Sequence, residues 1–189
     1  MSLPRAFFLA IAAGMMAMVG YAMMTKMPAG GVEKATGHAL LNGVFVTEQV
    51  ALAAVGNLPK DGYRTLIDLR PDGEAADQPP SAAVGDAARA AGLTFAYYPT
   101  PKTDIPDSVV DGVVQTLATA PGPVIMYCRS GSRAARVWAL AEASRAGGAS
   151  AGEIAAAVRT AGQSVDDLAS RIAARIAARK AQSTPKAPS

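Results

Sequence analysis

The chain has 189 residues, with 18 Lys and Arg against 15 Asp and Glu for a formal charge of +3, and it holds one cysteine and one histidine. So small a charge excess gives no argument for nucleic acid, a lone cysteine excludes an intramolecular disulfide, and one His far from one Cys speaks against a transition-metal site, so no metal or cofactor is expected. Half the residues are hydrophobic but only 5% are aromatic, and with so much alanine the core must rest on Val, Ile and Leu. The length fits one domain plus extensions.

Phe7 to Met24 carries no charge, with Arg5 before it and Lys26 after it. As a helix it would be about 27 Å long, close to the thickness of a bilayer's hydrocarbon core. A transmembrane anchor (residues 1–27) is the first reading and a cleaved signal peptide the second. A single-pass protein of the cell membrane is expected. The flanking charges lean to a cytoplasmic N-terminus, and the side of the soluble domain is left open.

Residues 28–39 read as a linker around Pro28-Ala29-Gly30-Gly31, and the domain spans residues 40–180. Gly43 to Val46 forms a strand, and Thr47 caps a helix through Val55. Tyr63 to Leu69 is a strand closed by the polar loop Arg70-Pro71-Asp72-Gly73-Glu74. A helix from Val84 to Ala91 ends at Gly92. Leu93 to Tyr98 is a strand, and Asp107 or Ser108 caps a helix to about Ala120. Val124 to Tyr127 is a fully buried strand, and a helix follows from about Arg133 to Arg145. The tail folds back as a helical hairpin. Its first helix runs Gly152 to Ala161, and Ser164 with Asp167 makes a capping box for the second. Val165, Leu168, Ile172 and Ile176 give the second helix its apolar stripe. Arg171, Arg175 and Arg179 recur every four residues as a solvated face that anionic lipid could touch. Residues 181–189 read as a disordered tail.

Alternating strands and helices imply an α/β fold with a mainly parallel sheet flanked by helices. Ligands of such sheets bind beyond the strands' carboxyl ends. Cys128 stands there, in the loop Cys128-Arg129-Ser130-Gly131-Ser132-Arg133. Open N–H groups at the start of a helix, with Arg129 and Arg133, favour the thiolate, the nucleophilic form. Gly131 lets the backbone curl, so the amides of Arg129, Ser130, Gly131 and Ser132 can ring an anion while Arg133 grips two of its oxygens. Arg136, a turn further on, is expected at the surface or just behind the site, and His38 at the surface.

Three stretches carry a resemblance: Leu69-Arg70-Pro71-Asp72-Gly73-Glu74, Gln78-Pro79, and Tyr127 through Arg133. They resemble the phosphatase-like domain family of β-lactamase-hydrolase-like proteins, also called domain of unknown function 442, over about Gly43 to Ile176. That family is similar in fold to dual-specificity and tyrosine phosphatases. The resemblance implies a cysteine-dependent hydrolase acting through a phosphocysteine, on a small anionic substrate or a phosphoprotein. Tyrosine phosphatases have a His before the Cys and five residues between Cys and Arg. Here Tyr127 precedes Cys128, four residues separate it from Arg133, and Ala134 stands where a Ser or Thr commonly follows the Arg. The shorter loop resembles that of rhodaneses, so a sulfurtransferase carrying a persulfide on Cys128 is the alternative, and a non-catalytic anchored binding module a further one. Ester hydrolysis needs a general acid. Asp104, in the loop where such phosphatases keep theirs, is the candidate, with Asp72 next. Arg70 and Glu74 are expected to shape their loop.

Overall fold

The computed structural model describes residues 36–183. The expected anchor and residues 184–189 of the expected tail lie outside them. No helix among the described residues is long and apolar enough to cross a membrane.

Five strands form one sheet: β1 (His38–Ala39), β2 (Val44–Thr47), β3 (Thr65–Asp68), β4 (Thr94–Tyr97) and β5 (Val124–Tyr127), in the order β1-β2-β5-β3-β4. Only β1 runs antiparallel, against β2. The other neighbours are parallel, as the alternation of strands and helices predicts. β1 takes up the last two residues of the expected linker. The helices are α1 (Leu52–Val55), α2 (Ser81–Ala90), α3 (Asp107–Thr119), α4 (Ser132–Ser144), α5 (Ala151–Thr160) and α6 (Ala169–Ser183), with a 3-10 turn at Asp166–Leu168 before α6.

Strands β3 and β5 are buried at every position, and their side chains alternate between two faces. Leu66, Ile125 and Tyr127 pack on one face with Val55 and Val84. Ile67, Val124, Met126 and Cys128 pack on the other with α3, α4 and the C-terminal hairpin. The period of two therefore points Cys128 and Tyr127 to opposite sides. Alanine does more than expected here. Ala134, Ala135, Ala139, Ala141 and Ala143 of α4 are all buried, because that helix is covered by the sheet and by α3, α5 and α6. Trp138, fully buried, is the largest side chain in that layer.

Three expected caps are corrected. Thr47 does not start a helix. It ends β2, and Gln49 N–H donates to Arg129 O (3.4 Å) while Glu48 bridges Ser130, so residues 48–49 pair with the Cys loop instead. Asp107 is the first residue of α3 rather than its cap, and its carboxylate takes Arg171 and Arg175. Asp167 does not cap with Ser164. It holds Arg136 through two 2.7 Å bonds, and the capping box forms at Ser150 and Glu153, ahead of α5.

The C-terminal hairpin is present. Val165, Leu168 and Ile172 are buried in the main core, but Val165 and Leu168 sit before and at the end of the 3-10 turn and not on the second helix as expected. Three aliphatic side chains of that size contribute about 5 kcal/mol on burial, comparable to a whole domain's net stability, so the hairpin is part of the domain. The arginine stripe is not the solvated face expected. Arg171 donates to Ile105 O (2.6 Å), Arg175 to Ser144 Oγ (2.7 Å), and Arg179 to the carbonyls of Glu142, Ala143, Gly148 and Ala149. The stripe ties α6 to α3 and to the open carbonyls at the end of α4. Helix α6 also continues to Ser183, into the first residues of the expected tail.

Candidate active site

Parallel pairing brings the carboxyl ends of β2, β5, β3 and β4 to one edge of the sheet. From β5 comes Cys128, from β3 Leu69 and Arg70, from β2 Glu48 and Gln49, and from β4 the loop that holds Pro101, Lys102 and Asp104. A cavity of about 320 Å³ opens there, lined by Cys128, Ser130, Ser132 and Arg133, with Pro101, Lys102, Ile105, Arg129 and Arg136 completing the wall. Of the loop residues expected to bind an anion, Arg129, Ser130 and Ser132 thus line the cavity with the cysteine, and Gly131 does not.

Cys128 is only 1% exposed yet lines this cavity. Gly131 holds φ +82° as the residue before α4, a conformation that costs other residues about 1–2 kcal/mol. No side chain caps α4, whose first-turn N–H groups have no acceptor inside the helix, and its first two residues, Ser132 and Arg133, line the cavity. The loop is braced on two sides. Gln49 N–H and the Glu48 bridge hold it from β2, and Gln163 Nε2 donates to Ser130 O (3.3 Å) from the hairpin.

Arg133 is buried and fixed. Its Nη2 meets Glu74 Oε1 at 2.7 Å and its Nη1 meets Leu69 O at 3.2 Å. Glu74 Oε2 takes Arg70 Nε (3.1 Å), and Arg70 Nη1 reaches Gln49 Oε1 (2.8 Å). Glu74 therefore does more than shape its loop: it orients the arginine beside the cysteine. Two of the five guanidinium N–H groups of Arg133 are used in these bonds. Burial pushes the Glu74 carboxyl up, but hydrogen bonds from Arg133 and Arg70 outweigh it and hold the group below its ordinary range.

The two acid candidates part company. Asp72 accepts from Ser81 N–H and Ser81 Oγ, both at 2.7 Å, and so anchors the start of α2. Asp104 is exposed between Lys102 and Ile105, which line the cavity, and makes no hydrogen bond or ion pair among the described residues. Arg136, expected at the surface or just behind the site, lines the cavity itself, with Asp167 as its ion-pair partner.

Asp68 escapes a reading of the sequence, because it looks like one more strand residue. It is 1% exposed behind the Cys loop, on the Tyr127 face of the sheet. Burial pushes its carboxyl up to about 6, against hydrogen bonds from the Tyr127 hydroxyl and from Arg70 N–H (2.8 Å). The Tyr127 hydroxyl is pushed up as well, by burial first and then by Asp68.

A family model described as "Beta-lactamase hydrolase-like protein, phosphatase-like domain" matches residues 38–145. The chain belongs to that family. A β-lactamase hydrolase-like protein of Xylella fastidiosa (strain Temecula1) is 41% identical over 86 residues, 46% of this chain. The chain spans about a fifth of that relative's length (20%). A candidate phosphatase from Neisseria meningitidis Z2491, solved as a crystal structure, is 28% identical with a TM-score of 0.62, over 72% of this chain and 96% of its own. P. aeruginosa TpbA, solved with pTyr, shares the fold at 17% identity and a TM-score of 0.53, over 82% of this chain and 98% of its own. The phosphatase-like fold is thus common to the family and to its structural neighbours. The family match stops at residue 145, short of the Ile176 to which the resemblance extends, and leaves out the hairpin that braces the site.

Proposed function

We propose that this chain is a cysteine-dependent phosphatase-like hydrolase. The Cys128 thiolate attacks the phosphorus of a phosphomonoester, forming the S–P bond as the ester P–O bond breaks. Asp104 gives its proton to the departing oxygen. Water then attacks the phosphocysteine and passes a proton back to Asp104, releasing inorganic phosphate and the thiolate. Arg133 and the amides of residues 129–132 hold the phosphoryl oxygens. One observation carries this reading: Cys128 lines a cation-walled cavity beside an arginine fixed in place by Glu74 and Leu69 O. Family and fold support a phosphate substrate, in line with the pTyr held by TpbA. The uncharged stretch at residues 7–24 supports attachment of this hydrolase to the cell membrane.

The test is a pair of assays, on phenyl phosphate and on thiosulfate with cyanide. Phosphate release that falls by about 10³ or more in Cys128→Ser is expected, with Asp104→Asn lowering it by about 10². An unchanged rate in Asp104→Asn removes it as the acid. The four-residue gap between Cys128 and Arg133 favours sulfur transfer as a second reading. Thiocyanate formation without phosphate release decides for it.

A further inference from the structure

The cavity wall carries four cations, Lys102, Arg129, Arg133 and Arg136, and among the described residues no carboxylate lines it. Two of the four are committed: Arg133 to Glu74 and Leu69 O, and Arg136 to Asp167. Lys102 and Arg129 are different. Both are exposed, and neither side chain makes a hydrogen bond or ion pair among the described residues. They reach the cavity from separate elements, Lys102 from the loop after β4 and Arg129 from the Cys loop. Their shared position follows from the fold and not from a local run of charge.

A single phosphoryl group is already served by Arg133 and the N–H groups at the start of α4. Lys102 acts on the Glu74 carboxylate only through space, and two further cations outside any hydrogen bond or ion pair among the described residues are more than one phosphate requires. Like charges on one wall also repel, and an anionic group between them relieves that. The space is small, at the low end of ligand cavities. Among the described residues its apolar lining is Pro101 and Ile105, with no aromatic ring on which a flat substrate would stack.

Building on the hydrolase reading, we infer that the substrate is a compact molecule with two anionic groups. One is the reacting phosphate over Cys128. The other, a second phosphate or a carboxylate, is held by Lys102 and Arg129. These two residues are then the specificity determinants of the site.

The test uses the full 189-residue chain as Cys128→Ser, titrated with three non-hydrolysable probes. Methylphosphonate has one anionic group, and phosphonoacetate and methylenediphosphonate have two. The two-anion probes are expected to bind about tenfold tighter than methylphosphonate. In the Lys102→Ala, Arg129→Ala double variant that ratio should fall close to one, and Lys102→Arg should keep it. Equal affinity for all three probes overturns the inference. So does a double variant that weakens all three by one common factor, which would mean a diffuse field and no second subsite. Phenyl phosphate turnover by the native Cys128 chain separates the failures. With turnover present, equal affinities sink only the two-anion substrate, whereas no turnover and no phosphonate binding sink the hydrolase reading beneath it.

Discussion

At two places among the described residues, two arginines share one carboxylate. Arg70 and Arg133 meet on Glu74, whose side chain is 12% exposed. Arg171 and Arg175 meet on Asp107, whose side chain is 71% exposed. The chemistry is the same and the surroundings are not. At Asp107 water and salt screen the charges, and the pair adds little to what Ile172 and Leu168 already do by burial. At Glu74 the charges have left water. Removing the carboxylate there would strand two buried guanidinium groups, so geometry is enforced by the cost of breaking it. The buried fork is the one that sets an arginine beside Cys128.

The largest effect should come from Glu74→Ala. We expect about 3–5 kcal/mol of lost stability, read by urea denaturation, with phosphate turnover falling alongside. A loss no greater than that of Asp107→Asn would break the contrast. Asp68 sharpens it from the other side, as a buried carboxylate without a guanidinium in hydrogen-bond contact. Its folded-state value near 6 lies above the ordinary 3.8, so the folded chain binds that proton more tightly than the unfolded chain. Stability should therefore fall as pH rises from about 4 to about 6, by about 3 kcal/mol in total. Asp68→Asn should flatten that part of the profile, and an unaltered slope in the variant would assign it elsewhere. Gly131→Ala should cost about 1–2 kcal/mol for a left-handed residue, measured as a drop in Tm with weaker phosphonate binding. Asp107→Asn should cost at most about 1 kcal/mol, less in high salt, and should leave turnover unchanged.

What could be read from the sequence was what local order decides. The apolar run Val124 to Tyr127, followed by Cys128 and a glycine, fixes strand, loop and helix within ten residues, and the structure follows that order. The apolar stripe of the second hairpin helix was legible only in part: Ile172 and Ile176 stand one turn apart on α6, whereas Val165 and Leu168 fall ahead of that helix, at the 3-10 turn. Bonds across long separations were hidden. Glu74 and Arg133 are 59 positions apart, and Gln163 and Ser130 are 33. A carboxylate in a loop after a buried strand was the only hint of the first. The misread caps share one cause: Thr47, Asp107 and Ser164 each had a capping side chain at the right spacing. Tertiary partners, the Cys loop for the segment after Thr47 and the arginines of α6 for Asp107, then outcompeted the local bond. Asp68 gave no signal, because a polar residue at a strand's end is ordinary until its burial is known.

The hairpin touches the mouth of the cavity at three places: Gln163 on Ser130 O, Asp167 on Arg136, and Arg171 on Ile105 O. Anyone trimming the gene to the family's own boundary would therefore produce a different object. Ending the polypeptide at residue 145 would bare the surface of α4 that Ile154, Val158 and Ile172 cover, and would loosen the rim from behind. For expression, for fusion partners and for comparing family members, the unit to carry forward runs to the end of α6.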